Sequence, residues 1–267
     1  METDLFSLNG RIALITGGSR GIGRMIAEGF LMQGAAKVYI TARKAGPCEE
    51  TAKALTAAYP GECIALPLDV STVEGCERLA KEFSAREPKL DILVNNAGAA
   101  WGAQFDEFPE SGWDKVVDLN MKTPFFLTKA LAGPLRAAGS AARPAKVINI
   151  ASIDGISVNP LETYSYAASK AGLIHLTRRM AARLIREHIA VSGIAPGAFK
   201  SDMNRVARDH GDEIAGLIPA GRVGTDEDMA GVAIFLASRA GDYVVGNTIT
   251  VDGGVAFADT SAPAAGE

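Results

Sequence analysis

The stretch from Arg11 to Gly34 constrains this chain most. An apolar run, Arg11-Ile12-Ala13-Leu14-Ile15-Thr16, stops at glycine and passes through Gly17-Gly18-Ser19-Arg20-Gly21-Ile22-Gly23. It then takes up helical spacing at Ile22, Met25, Ile26 and Phe30, with Gly34 near the end. A short unbroken apolar run suits a parallel strand buried on both faces, and the later spacing predicts an amphipathic helix. Strand, glycine turn and helix in that order bring free backbone amides and the positive end of a helix dipole to one point. Such a point favours a pyrophosphate, and the glycines let backbone approach it closely. The turn departs from the general Gly-x-Gly-x-x-Gly fingerprint, because its glycines fall at Gly17, Gly21 and Gly23.

The alternation continues. Lys37-Val38-Tyr39-Ile40-Thr41 predicts a strand, residues 49 to 58 a helix, Cys63-Ile64-Ala65-Leu66 a strand, and residues 72 to 86 a helix. This pattern predicts a doubly wound α/β sheet. With 267 residues, 48% of them hydrophobic, the chain suffices for one sizeable core. After Thr41 an NAD-binding protein is expected to place an acid for the ribose hydroxyls, yet the chain reads Ala42-Arg43-Lys44. Arg43 and Arg20 offer guanidinium groups suited to a 2′-phosphate, which points to NADP(H).

A net charge of -4 without a long basic run argues against a nucleic-acid or anionic-membrane partner. No apolar stretch reaches membrane-spanning length and the N-terminus lacks a signal-type core, so a cytoplasmic location is expected. Cys48, Cys63 and Cys76 are odd in number with no Cys-x-x-Cys pair, which predicts inert reduced thiols. His175, His188 and His210 are too scattered to suggest a metal site.

Tyr166 and Lys170 lie four apart in a predicted helix and so share a face. A phenol has a pKa of about 10, and a neighbouring ammonium is expected to lower it toward the working range of a proton donor. Ser152 follows the strand Lys146-Val147-Ile148-Asn149-Ile150, at the carboxyl edge where open α/β sheets bind ligands.

Asp91-Ile92-Leu93-Val94 runs into Asn95-Asn96-Ala97-Gly98. Taken with Thr16-Gly17-x-x-x-Gly21-x-Gly23, Asn120 in Asp118-Leu119-Asn120, Ser152, Tyr166-x-x-x-Lys170 and Pro196-Gly197, it makes the chain resemble the short-chain dehydrogenase/reductase family, in its NADP(H)-preferring branch. The resemblance implies one Rossmann-type domain over residues 1–254, with a mostly parallel seven-stranded sheet flanked by helices on both faces. Two short amphipathic patterns, Met203, Val206, Ala207 and Ile214, Leu217, Ile218, read either as a substrate lid at about 198–224 or as core packing, and the Ala-rich tail at 255–267 reads as flexible. Ser152 is implied to bind the substrate carbonyl, Tyr166 to give it a proton, Lys170 to lower the Tyr166 pKa and hold the nicotinamide ribose, and Asn120 to position a water that links Lys170 to solvent. Cofactor contacts are implied for Gly17, Ser19, Arg20, Gly21, Ile22, Gly23, Arg43, Asp69, Val70, Asn96, Ala97, Gly98, Tyr166, Lys170, Pro196, Gly197, Phe199 and Ser201, while Asn95 steadies the central strands.

Trp101, Asp154, Tyr164, Phe199 and Met203 are expected to line the substrate pocket. The pattern is most similar to β-ketoacyl reductases, including the rhamnolipid-synthesis type, which implies a 3-oxoacyl substrate. A cyclic or sugar-like secondary alcohol, or a nonenzymatic NADP(H) sensor, is the alternative. Asp154 near the pocket mouth and Glu187, standing where carrier-protein reductases often keep an arginine, count against a carrier-bound substrate; Arg143 fits the other docking position. The long helices over 112–138 and 164–187 imply a homodimer or homotetramer, by analogy with the family.

Overall fold

Leu14, Tyr39, Leu93 and Val147 fall in one buried cluster, while their neighbours Ala13, Ile15, Val38, Ile40, Ile92, Val94 and Ile148 fall in another. Such alternation is what a strand does when both faces are covered. The strands are β1 (Ile12–Thr16), β2 (Lys37–Thr41), β3 (Glu62–Ala65), β4 (Ile92–Asn95), β5 (Ala145–Ile150), β6 (Ile189–Pro196) and β7 (Thr248–Val251). They form one sheet in the order β3-β2-β1-β4-β5-β6-β7, and every pair is parallel. The computed structural model describes residues 4–200 and 211–258. The expectations for Ser201, Met203, Val206, Ala207 and His210, and for the tail from 259 on, fall outside those residues.

Helices cover both faces. On one side lie α1 (Gly21–Met32) and α2 (Ala45–Ala58), with the later helix Asp226–Ala237. On the other lie α3 (Val73–Ser84), α4 (Glu110–Val117), α5 (Thr123–Ala130), α6 (Ala132–Ala138) and α7 (Tyr164–Leu184). Fully buried Phe30, Leu79 and Phe83 anchor the layers; burying each such side chain is worth roughly 2–3 kcal/mol before entropy is counted. Thr72 caps α3 by accepting from the Gly75 amide at 3.1 Å.

The helix expected over 112–138 breaks. Asp118–Lys122 forms a π turn between α4 and α5, and the chain leaves helical geometry at Leu131. Pro134 explains the second break: it has no N–H for the Ala130 carbonyl, and its ring crowds that oxygen. Helix α2 also begins four residues earlier than expected, with Pro47 in its first turn, where a missing amide costs nothing.

A buried polar chain crosses the middle of the sheet. Asn95 Nδ2 donates to Thr128 Oγ1 on α5 (3.2 Å) and to Asn149 Oδ1 on the neighbouring strand (2.8 Å), and Asn149 Nδ2 donates to Thr177 Oγ1 on α7 (2.9 Å). The steadying role expected of Asn95 therefore extends through Asn149 to the helix that carries Tyr166 and Lys170. Replacing Asn149 with alanine leaves Asn95 and Thr177 short of partners in a dry interior. We predict a loss of about 3 kcal/mol of stability, seen as a lower urea midpoint at unchanged slope.

Candidate active site

The order of strands reverses between β1 and β4, and open α/β sheets bind ligands at the carboxyl edge of such a switch point. Thr16 holds that edge together. Its hydroxyl accepts from the Asn96 and Ala97 amides, both at 2.9 Å, and Asn96 Nδ2 donates back to the carbonyls of Thr16 (2.8 Å) and Gly17 (3.2 Å). Gly17 sits at φ 67°, and a Cβ on Gly23 would lie 2.4 Å from the Gly17 oxygen, so both positions demand glycine. Asn96, expected as a cofactor contact, lies at this edge and ties its side-chain amide to the glycine turn.

That turn delivers the N-terminus of α1 with no side-chain cap and no acid in its first turn. Arg20 and Arg43 are exposed beside it, and the end of β2 carries no carboxylate. An anionic dinucleotide with a 2′-phosphate fits this donor set. On the far side Asp69 is exposed and Val70 buried, and Thr123 Oγ1 fixes the Val70 carbonyl at 2.6 Å.

Ser152, Tyr166 and Lys170 meet at the next strand end. Past β5, Ser152 starts a 3-10 turn, Ile153–Gly155, with its oxygen accepting from the Asp154 amide at 3.2 Å. A Cβ on Gly155 would stand 2.6 Å from the Lys170 carbonyl carbon and the Ala171 nitrogen. Only glycine lets this turn lie flat on α7, and it draws Ser152 to Tyr166. The sequence reading missed Gly155; its position three residues after Ser152 was the available signal.

Lys170 is 4% exposed and donates to the Ile150 carbonyl at 2.7 Å. Its ammonium lies 5.6 Å from the centroid of the Tyr166 ring. Burial lowers the Lys170 pKa to about 8, against the pull of the Asp154 carboxylate. Tyr166 corrects the expectation: its pKa rises to about 12. Burial is the main cause, the Asp154 charge adds to it, and only the hydrogen bond with Ser152 opposes. With Lys170 turned to the Ile150 carbonyl, desolvation of the phenolate dominates.

Asn120 lies in the π turn, a helix defect that frequently marks functional sites. Its Oδ1 accepts from the Ala99 amide at 2.8 Å, and its Nδ2 donates to the Ala99 carbonyl (2.9 Å) and Ser169 Oγ (3.1 Å). A Cβ on Gly98 would lie 3.2 Å from Asn120 Oδ1 and 3.8 Å from Lys170 Nζ, so the Asn95–Gly98 segment reaches both side chains.

Of the expected pocket residues, Trp101 packs on Gly112 beneath Lys115. Tyr164 makes edge-on contacts with Phe105 and Phe108, both at 5.7 Å, and Phe108 meets Trp113 at 6.3 Å. This aromatic group went unnoticed in the sequence. Phe199 is 2% exposed with its ring against Gly224, and it lines a small cavity there with Ile218, Arg222 and Gly253. The Gly197 amide donates to the Val251 carbonyl at 2.9 Å, which places Pro196-Gly197 at the same sheet edge. The three cysteines are buried, and burial raises all three thiol pKa values, Cys63 to about 12 and Cys76 to about 11.

A family model described as enoyl-(acyl carrier protein) reductase matches residues 17–256. The rhamnolipids biosynthesis 3-oxoacyl-[acyl-carrier-protein] reductase of Pseudomonas aeruginosa is 50% identical over 252 residues, covering 93% of this chain and 97% of the relative. The 2-dehydro-3-deoxy-D-gluconate 5-dehydrogenase of Dickeya dadantii is 37% identical over 257 residues, covering 95% and 98%. A solved active-site complex of Pseudomonas aeruginosa RhlG with NADP superposes with a TM-score of 0.91 at 47% identity, over 96% of this chain and all of that one. With Ser152, Tyr166 and Lys170 brought to one strand edge beside the glycine turn, the chain belongs to the short-chain dehydrogenase/reductase family.

Proposed function

We propose that this chain is an NADP(H)-dependent carbonyl reductase acting on a 3-oxoacyl thioester. The observation that carries this reading is the meeting of Ser152, Tyr166 and Lys170 beside an uncapped helix N-terminus. When bound, NADPH supplies the hydride. The chain does the rest. Ser152 Oγ orients the carbonyl oxygen, and Tyr166 transfers its proton to that oxygen as negative charge develops there. Lys170, its ammonium 5.6 Å from the centroid of the Tyr166 ring, holds the nicotinamide ribose, and Asn120 holds the loop at Ala99 that frames this space. Arg20 and Arg43 take the 2′-phosphate.

A phenol with a pKa near 12 is protonated throughout the physiological range, which suits a donor in carbonyl reduction. The aromatic group of Phe105, Phe108, Trp113 and Tyr164 lies at the start of α7, next to the catalytic turn, and offers an apolar surface to an acyl chain. Glu187 is paired with both Arg136 and Arg183, so guanidinium charge exceeds carboxylate at the end of α7, and Arg143 is exposed. Phe125, 41% exposed on α5, supports pairing of this helix with a second copy of the chain. Sedimentation velocity is expected to show a dimer or tetramer, and a monomer at micromolar concentration would contradict it.

The test is a panel of 3-oxoacyl thioesters, cyclic ketones and sugar alcohols, followed by nicotinamide absorbance with NADPH and with NADH. Thioesters with NADPH are expected to give the highest kcat/KM. Tyr166→Phe is expected to lower turnover by two to four orders of magnitude, roughly the worth of general-acid catalysis, with NADPH binding retained. The pH dependence follows from Lys170. At pH 6 to 7 both Lys170 and Tyr166 hold their protons, so kcat/KM for reduction is level. As pH rises through about 8, Lys170 loses its charge and the rate falls. Tyr166 deprotonates only near 12 and does not limit reduction. A rate that climbs between pH 7 and 9 would contradict this assignment.

A further inference from the structure

The mechanism leaves Asp154 unused, although it is held as firmly as the catalytic residues. Its amide donates to Ser152 Oγ at 3.2 Å. The following residue, Gly155, lies flat on the backbone of α7 at Lys170 and Ala171. Asp154 is half-buried, in the turn between Ser152 and the largely exposed segment 156–163. Among the described residues, it is the one charged group that both Tyr166 and Lys170 feel. A carboxylate placed there offsets the Lys170 ammonium and gives an incoming anion no net attraction.

We propose that Asp154 is a specificity-determining residue that excludes substrates carrying their own carboxylate near the carbonyl, and so favours neutral 3-oxoacyl esters and thioesters over keto acids. This rests on the reductase reading and narrows it. The chemistry separates two substrate classes that otherwise share a secondary alcohol and a ketone. A free acid brings a negative charge within a few ångströms of Asp154, and two such charges in a partly water-excluded cleft repel strongly enough to alter affinity severalfold to about fiftyfold. A thioester of the same chain length feels none of this. Asp154 touches no reacting atom in this account. It acts by charge, so an isosteric neutral side chain that keeps the turn intact removes its effect.

The experiment uses a matched pair, 3-oxooctanoate and its ethyl ester, with the full-length chain and NADPH. KM is read in reduction, and Kd by quenching of bound NADPH fluorescence. The parent protein is expected to prefer the ester. Asp154→Asn is expected to lower KM and Kd for the free acid roughly tenfold while leaving those for the ester within about twofold. Asp154→Glu, which keeps the charge, is expected to retain the discrimination. Equal changes for acid and ester, or no change in their ratio, would overturn the proposal. If neither compound is turned over but the Kd ratio shifts as stated, the charge filter stands and the reductase reading falls.

Discussion

A buried ammonium governs this structure. Lys170 is almost fully removed from water, and a cation in such a place must be met by oxygen or abandon its charge. The Ile150 carbonyl, at the last position of β5, meets it. That bond ties α7 to the end of β5, one turn beyond Tyr166, alongside the Asn149–Thr177 hydrogen bond further along the helix. Burial lowers the Lys170 pKa to about 8, with the Asp154 carboxylate opposing the shift. A lysine there stays largely charged at neutral pH, with little to spare.

The surrounding structure maintains this arrangement through close contacts rather than bulk. Gly155 allows the Ser152 turn to touch α7, and Gly172 leaves room for the Met121 sulfur from the π turn, which a Cβ would approach at 2.5 Å. Asn120 ties that same turn to Ala99 and Ser169. The polar chain from Thr128 through Asn95 and Asn149 to Thr177 links the helix layer to the middle of the sheet. Each device restricts motion near Ser152 and Tyr166, where an ångström of misplacement costs a large factor in rate.

Much of this was legible in the sequence because strand periodicity, glycine turns and helix spacing are local. The strands at Ile12–Thr16, Lys37–Thr41 and Ala145–Ile150, the edge at Ser152, and the Tyr166–Lys170 face all follow from residues close in the chain. What stayed hidden depends on partners far apart in sequence. Burial of Tyr166 reversed the expected direction of its pKa, since desolvation is set by everything packed around the ring. Nothing local shows that the Asn96 amide bonds the Thr16 and Gly17 carbonyls. The Phe105, Phe108, Trp113 and Tyr164 group joins two segments some fifty residues apart, so no window along the chain contains it. The break at Pro134 was readable, by contrast, since a proline within a helical pattern always threatens the turn before it.

The most direct test of the central claim is isotope transfer. NADPH deuterated at the transferring position of the nicotinamide is incubated with a 3-oxoacyl thioester, and the product is examined by mass spectrometry and NMR. One deuterium per molecule is expected, on the carbinol carbon, with the new hydroxyl proton drawn from solvent. Reduced nicotinamide that persists unconsumed, or deuterium found at any other carbon, would contradict it.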